Sequence, residues 1–298
     1  MGAREIERTD SAFSLKLDEL RSSAQRVAGD DENHTPHLVA RSESANSIFV
    51  GVVHYTKPDH PQSKAFGKIV HDWLDHTNGH DRIFRIEGRV GEAGRTEEAS
   101  LAAHGDTGRL AYLANKHGVP IGSLEENFHD QALWLIQEKG HDPETVFGYY
   151  VLRRIPQALR AQEGYRPDIE AHLRETMIIH STFLPDDVDA GEVFKRVMGR
   201  LYSERGKSPF EFDVSDEDWL LRETGDPSAG GPVETPIQKV AADTHDRRRS
   251  YAVQLIREDM AEGKDVFGIF GDTHFFRMAS MMKNEFPARN VTALEEAQ

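Results

Sequence analysis

Continuous apolar runs recur along the first part of the chain, and segments with helical spacing separate them. Residues 37–41 form a short apolar run, residues 42–46 are polar, and residues 47–53 are almost entirely apolar. A continuous run of the last kind is typical of a strand that is buried on both faces. The pattern therefore predicts a β-hairpin at the start of the folded domain.

The next runs predict a parallel sheet. Strands are expected over residues 82–87 and 119–124, with helices over residues 62–75 and 97–116 between the predicted strands. Strands that alternate with helices of this length favour a parallel sheet with crossover helices. Further sheet elements are expected late in the chain: a strand over 265–270, a helix over 275–285 and a final strand over 290–294.

The middle of the chain is mostly helical in pattern. Helices are expected over residues 131–139, 143–162, 168–182, 190–204 and 238–262, and a long loop over 213–233. We thus predict an α/β fold with a central, mostly parallel sheet and an N-terminal β-hairpin. It forms a single domain over 35–298, and a helical insertion at about 128–237 caps the carboxyl ends of the strands. Residues 1–34 are expected to be a polar tail with one short helix over 11–27.

The charge balance and the absence of cysteine exclude several classes of function. The chain has 36 Lys and Arg against 51 Asp and Glu, a net charge of −15, which disfavours nucleic-acid and membrane partners. With 0 cysteines, it has no disulfide framework, no Cys nucleophile and no thiolate metal site. No apolar run has the length of a signal peptide or a membrane span, so a cytoplasmic protein is expected. The pattern does not determine the oligomeric state.

Four polar side chains stand at or just after the ends of predicted strands. They are His54, Glu87, Glu125 and His274. Because the carboxyl ends of parallel strands meet at one edge of a sheet, where ligands bind, these residues are candidates for a shared site. Two imidazoles and two carboxylates suit a divalent metal ion or acid–base chemistry.

Both histidines end the same short pattern. Gly51 precedes His54, and Gly271 precedes His274, each as Gly-x-x-His after a buried strand. A glycine at a strand end lets the backbone turn sharply or approach a ligand closely. Taken alone, each residue also fits an ordinary polar loop position, and it is the repeated pattern that favours a functional site.

A basic run, Arg247-Arg248-Arg249, is expected to open the helix before the late strand. Positive charge at a helix start opposes the helix dipole, which favours contact of an arginine with an anion or a carboxylate. A solvated basic turn is the alternative. Which of the three arginines enters the site is left open.

These motifs resemble the TraB/TIKI superfamily, which is related to the erythromycin-esterase-like and ChaN-like proteins. Those families carry a first-strand Gly-x-x-His, a Glu at the end of the next strand, and a second Gly-x-x-His late in the chain. They also carry an Arg at the start of the helix before the second motif. Here Arg247 takes the position of that Arg, while Arg248 replaces the family's Asp. The resemblance covers about residues 36–127 and 238–295.

The resemblance implies a metal-dependent hydrolase of peptide, other amide or ester bonds, acting on a peptide or a small molecule. In such an enzyme His54, Glu87 and His274 would hold Mn²⁺, Co²⁺ or Zn²⁺. Glu87 or Glu125 would act as the general base, and Arg247 would bind a substrate carboxylate or the charge of the transition state.

Two alternatives remain open at the level of sequence. One is a metal-independent, erythromycin-esterase-like hydrolase in which His54 is the general base. The other is a non-catalytic module on the same scaffold that binds a signal peptide, a metal or haem.

Overall fold

The computed structural model describes residues 38–41, 47–52, 58–88, 90–159, 169–185, 187–203, 217–225, 233–271 and 290–293. The chain divides into two compact units, one formed by residues 1–125 and 249–298 and the other by residues 126–248. The predicted tail over 1–34, with its helix over 11–27, and the predicted helix over 275–285 lie outside the described residues.

Among the residues that the structure describes, the first unit contains a sheet of 6 strands in the order β4-β3-β5-β2-β1-β6. Neighbours β4, β3, β5 and β2 run parallel, whereas β1 pairs antiparallel with both β2 and β6. This arrangement confirms the α/β class, the mostly parallel sheet and the N-terminal hairpin that the sequence predicts. The strands are β1 (Leu38–Arg41), β2 (Ile48–Val52), β3 (Arg82–Ile86), β4 (Ile121–Ser123), β5 (Asp265–Gly271) and β6 (Asn290–Ala293).

The late strand β5 lies between β3 and β2, so it is the strand that joins the two halves of the sheet. All five residues of β2 are buried, and β5 is buried up to Phe270. Two helices follow β2 and β3 in the chain, α1 (Pro61–His76) and α2 (Glu97–His117). Trp73 of α1 packs on Phe84 of β3 and Phe267 of β5, with ring centroids 5.4 Å apart in each pair. This aromatic contact fixes α1 against the centre of the sheet.

The second unit is helical and has its own core. Its helices are α3 (Phe128–Gln137), α4 (Pro143–Leu159), α5 (Ile169–His180), α6 (Ala190–Ser203), α7 (Glu217–Thr224) and the first part of α8 (Pro236–Ala261), and a short 3₁₀ turn, Ser181–Phe183, follows α5. The core includes Phe147, Tyr149, Val193 and Val240, all fully buried. The position of this unit over the strand ends stays a prediction.

Helix α7 corrects the prediction of a long loop over 213–233. The helix is short, and charged residues surround its buried side chains, Trp219 and Leu220. Such a segment has too few apolar positions to give a helical period, so only packing into the core of the second unit stabilises it. Within the described residues, no helix is both long and apolar enough to cross a membrane.

Candidate functional site

Three neighbouring strands end together at the carboxyl edge of the sheet. Val52 at the end of β2 is in register with Gly271 at the end of β5, and Ile86 at the end of β3 is in register with Ile269. The carboxyl ends of these strands therefore lie side by side. In open α/β sheets this edge is where ligands bind.

Glu87 is fixed at this edge by its backbone and by its side chain. Its N–H donates to the carbonyl of Ile269 at 3.0 Å, which extends the pairing of β3 with β5. Its Oε2 accepts a hydrogen bond from the N–H of Gly271 at 2.6 Å. The half-buried Glu87 carboxylate thus lies against the residue that begins the second Gly-x-x-His sequence. The backbone turns sharply directly after Glu87, where Gly88 has a φ of 88°.

The backbone at Glu125 is tied to the same edge through Ser123. The Ser123 hydroxyl donates to the carbonyl of Gly88 at 2.7 Å and accepts from the N–H of Glu125 at 2.9 Å. The N–H of Leu124 also donates to the carbonyl of Ile86 at 2.8 Å. These bonds hold the segment after β4 beside the segment after β3, so the backbone of Glu125 lies next to the end of β3.

The two predicted histidine ligands, His54 and His274, lie outside the described residues. By sequence they follow β2 and β5, the two strands in register at Val52 and Gly271. Within the part of the chain that the structure describes, no group of three or more His, Asp or Glu side chains could hold a metal ion. The metal set His54, Glu87 and His274 stays a prediction.

Arg247 lies in the second unit, in the middle of α8, whose bounds agree closely with the predicted helix over 238–262. The prediction that the basic run opens a helix is therefore wrong. The helix starts earlier because Thr235 caps it: its hydroxyl accepts from the N–H of Gln238 at 3.2 Å. The argument from the helix dipole therefore does not apply to Arg247, which is far from either terminus.

The Arg247 guanidinium does contact a carboxylate, as expected for one of the three arginines. Nε and Nη2 of Arg247 donate to the two carboxylate oxygens of Glu126, at 2.8 and 2.6 Å. The guanidinium carbon also lies 5.0 Å from the centre of the Trp134 ring. A bidentate ion pair with an aromatic face beside it is a strong, directional arrangement. It fixes α8 to α3 and to Glu126, two residues before α3, within the second unit.

Sequence reasoning missed Glu126 and Trp134 as partners of Arg247. The only local signal is the pair Glu125-Glu126. Its position directly after the predicted strand draws attention to Glu125 and not to Glu126. The neighbouring carboxylates have different surroundings: Glu125 follows β4 in the first unit, whereas Glu126 pairs with α8 in the second. Nothing in a spacing rule distinguishes two adjacent glutamates.

A further polar residue that the sequence did not single out is Asp106 of α2. Its side chain is buried, and burial raises its pKa from the ordinary 3.8 to about 7, although the positive charge of Arg109 opposes this shift. Its spacing to Arg109 is an ordinary helical one, so the sequence alone suggests a surface ion pair. Burial is the feature that makes Asp106 unusual.

The second unit contains a buried histidine in an aromatic cluster. His180 stacks on Tyr150 with ring centroids 5.1 Å apart, and the edge of Phe128 meets it at 4.8 Å. Burial lowers the pKa of His180 to about 4, and the charges of Arg154 and Arg153 act in the same direction. The imidazole is therefore neutral at physiological pH.

The chain is thus an α/β protein with a mostly parallel sheet. Polar residues, Glu87, Ser123 and Glu125, lie at the carboxyl edge of this sheet. Comparison with protein-family models, with curated proteins and with solved structures finds no match. The resemblance to the TraB/TIKI superfamily therefore rests on the sequence motifs alone.

Proposed function

We propose that this chain is a hydrolase of amide or ester bonds whose site lies at the carboxyl edge of β3, β5 and β2. The observation that carries the proposal is the hydrogen bond from the N–H of Gly271 to Glu87 Oε2. This bond joins a carboxylate to the first residue of the second Gly-x-x-His sequence. The register of Val52 with Gly271 places β2, the strand that leads into the first Gly-x-x-His sequence, next to β5.

The chemistry of the donor set fits a divalent metal ion. His54 and His274 would supply imidazole nitrogens and Glu87 a carboxylate oxygen, a combination that suits Zn²⁺, Mn²⁺ or Co²⁺. Such an ion lowers the pKa of a bound water, so that hydroxide is present near neutral pH. The Gly271 N–H orients the Glu87 carboxylate, as partners of metal-binding carboxylates commonly do.

Glu125 is the group that we propose as general base. The Ser123 hydroxyl holds the backbone N–H of Glu125 close to the carbonyl of Gly88. The backbone of Glu125 therefore has a fixed position near that of Glu87. A carboxylate in this position would take the proton of the attacking water. We propose a peptide as the first substrate class to test, followed by simple esters. Arg247 is already engaged by Glu126, and its role as a catalytic group stays a prediction.

The test is elemental analysis of protein purified without chelator and without a His-tag, beside the variants His54→Ala and His274→Ala. His76→Ala is the matched control, since His76 is exposed at the end of α1. We expect near-stoichiometric metal in the wild type and in the control, and loss of metal in the two site variants, which stay folded.

Hydrolysis of a peptide and an ester panel completes the test. Activity that is lost with EDTA and restored by Mn²⁺, Co²⁺ or Zn²⁺ would support the proposal. Activity that survives EDTA but not His54→Ala would replace it with hydrolysis based on His54. Tight binding without product would instead indicate a binding module.

A further inference from the structure

Helix α2 is interrupted at one residue. Gly105 has φ 63° and ψ −152°, which no helix contains, so residues 97–104 and residues 106–117 are two helical segments joined by a break. A side chain at this φ is strained, and glycine is the residue that adopts it freely. The break lies in the first unit, in the helix that follows β3.

Asp106 is the first residue after the break. Its side chain is buried, with the residue only 2% exposed, and its Oδ1 has no hydrogen-bond partner among the residues that the structure describes. A buried carboxyl group without a hydrogen bond is costly, and such a group in a native fold calls for an explanation. Within the same residues, the charge that acts on it is that of Arg109, one helical turn further on.

Arg109 is occupied elsewhere. Its Nη1 donates to the carbonyl of Ser63 in the first turn of α1. Its Nε lies 3.0 Å from Glu97 Oε1 at the start of α2, an ion pair in which Nε has no hydrogen-bond partner among the described residues. Glu97 Oε2 in turn lies 3.1 Å from Nε2 of His71 on α1. Arg109 therefore joins the segment before the break to the segment after it and to α1.

We propose that Arg109 exchanges partners between Glu97 and Asp106, with the Gly105 break as the hinge of a pH-sensitive switch. With Asp106 neutral, Arg109 holds Glu97, as in this structure. When Asp106 ionises, Arg109, whose positive charge already acts on it, moves to pair with it. Glu97 and His71 are then released, and the segment over 97–104 is no longer fastened to α1.

One titration drives the exchange, that of Asp106. Within the described residues the charge that acts on Asp106 is that of Arg109, while Glu97 pairs with Arg109 and lies against His71. Acid neutralises Asp106 and so favours the arrangement in which Arg109 holds Glu97. Base ionises Asp106 and favours the other arrangement. Because burial raises the pKa of Asp106 to about 7, the exchange falls near neutral pH. The proposal does not depend on the proposed hydrolase activity.

The test is an NMR titration of the full chain between pH 5 and pH 9. The side-chain carboxyl ¹³C signal of Asp106, assigned through its correlations to the backbone, is expected to titrate with a midpoint near pH 7. The Nε–Hε signal of Arg109 should move with the same midpoint. In Asp106→Asn the Arg109 signal should stay at its acid position throughout.

Asp75→Asn is the matched control, since Asp75 is exposed on α1 and its loss should leave both titrations unchanged. Protection of peptides covering residues 94–104 against hydrogen exchange, after allowance for the intrinsic rise of the exchange rate with pH, should fall above pH 7 in the wild type and in Asp75→Asn but not in Asp106→Asn. An Arg109 signal that titrates equally in Asp106→Asn, or one that stays still while Asp106 titrates, would overturn the proposal. If Asp106→Asn does not fold, the coincidence of the two midpoints in the wild type still decides it.

Discussion

The carboxylate of Glu87 accepts a hydrogen bond from the backbone N–H of Gly271, with 2.6 Å between Oε2 and the nitrogen. This bond joins the end of β3 to the end of β5 across residues that are far apart in the chain. A hydrogen bond to a carboxylate contributes about 1.5–3 kcal/mol. Glu87 is therefore expected to stabilise the edge of the sheet as well as to serve the proposed site.

The first prediction concerns the substitutions Glu87→Ala and Glu87→Gln. We expect Glu87→Ala to lower the free energy of unfolding by about 1.5–3 kcal/mol, because it leaves the Gly271 N–H without its acceptor. Glu87→Gln keeps an acceptor oxygen and should lose about 1 kcal/mol or less. Urea denaturation measures both. Glu92→Ala, at an exposed position in the following segment, is the control. Equal losses for Ala and Gln would contradict a role through this hydrogen bond.

The second prediction concerns Ser123, whose hydroxyl links Gly88 to Glu125. Ser123→Ala removes both bonds and should cost about 1–2 kcal/mol of stability. Hydrogen exchange at the N–H of Glu125 should become faster by at least the factor that corresponds to this loss of stability. Ser123→Thr keeps the hydroxyl and should restore protection. Protection that is unchanged in Ser123→Ala would show that the β4 segment is held by other contacts.

The sequence predicts the strands of this sheet well, because each strand is a local apolar run with its own signal. It does not predict that β5 lies between β3 and β2, since pairing between distant segments leaves no local trace. For the same reason the bond between Glu87 and Gly271 is invisible in the sequence, although Glu87 is a candidate site residue and Gly271 begins the second Gly-x-x-His pattern. The break at Gly105 is missed because the apolar spacing on either side of it fits one helix. The burial of Asp106, the residue after the break, is missed as well.

The third prediction concerns the ion pair of Arg247 with Glu126. Glu126 is 9% exposed in its side chain, so removing its partner leaves a nearly buried charge. We expect Arg247→Ala to destabilise the second unit by about 2–4 kcal/mol. Adding Glu126→Gln to Arg247→Ala should recover part of that loss. The stability of Arg247→Lys should lie between those of the wild type and Arg247→Ala, since lysine cannot form the bidentate pair.

A double-mutant cycle over Arg247 and Glu126 measures the coupling directly. Arg257→Ala, at an exposed position on the same helix, is the control and should change stability by less than about 0.5 kcal/mol. A coupling energy near zero would contradict the structural role. A loss of hydrolysis in Arg247→Lys without loss of stability would favour the catalytic role that the family resemblance implies.

The fourth prediction follows from the raised pKa of Asp106. Between its ordinary pKa of 3.8 and its folded pKa of about 7, the unfolded chain loses a proton that the folded chain keeps. Stability should therefore fall as pH rises through this window and level off above pH 7. The stability of Asp106→Asn should lack this dependence on pH. Its free energy of unfolding at pH 8 should be higher than that of the wild type by an amount on the order of 2–4 kcal/mol. Urea denaturation at pH 5 and pH 8 measures the difference, and a gap that does not grow with pH would contradict it.

The fifth prediction concerns the neutral imidazole of His180. Its folded pKa of about 4 lies below its ordinary 6.5, so the unfolded chain takes up a proton first as pH falls. The stabilisation is complete above pH 6.5 and is lost progressively between pH 6.5 and pH 4, by an amount on the order of 2–3 kcal/mol.

His180→Phe keeps a ring against Tyr150 and removes the titration, so its stability should be nearly flat over the same window. Hydrogen exchange of peptides over residues 169–183 at pH 7 and pH 4.5 reports on this part of the second unit. We expect protection to fall at pH 4.5 in the wild type and to persist in His180→Phe. The exposed His76 provides the control, because His76→Phe should leave the acid response of these peptides unchanged. Equal acid sensitivity in wild type and His180→Phe would assign the effect to another group.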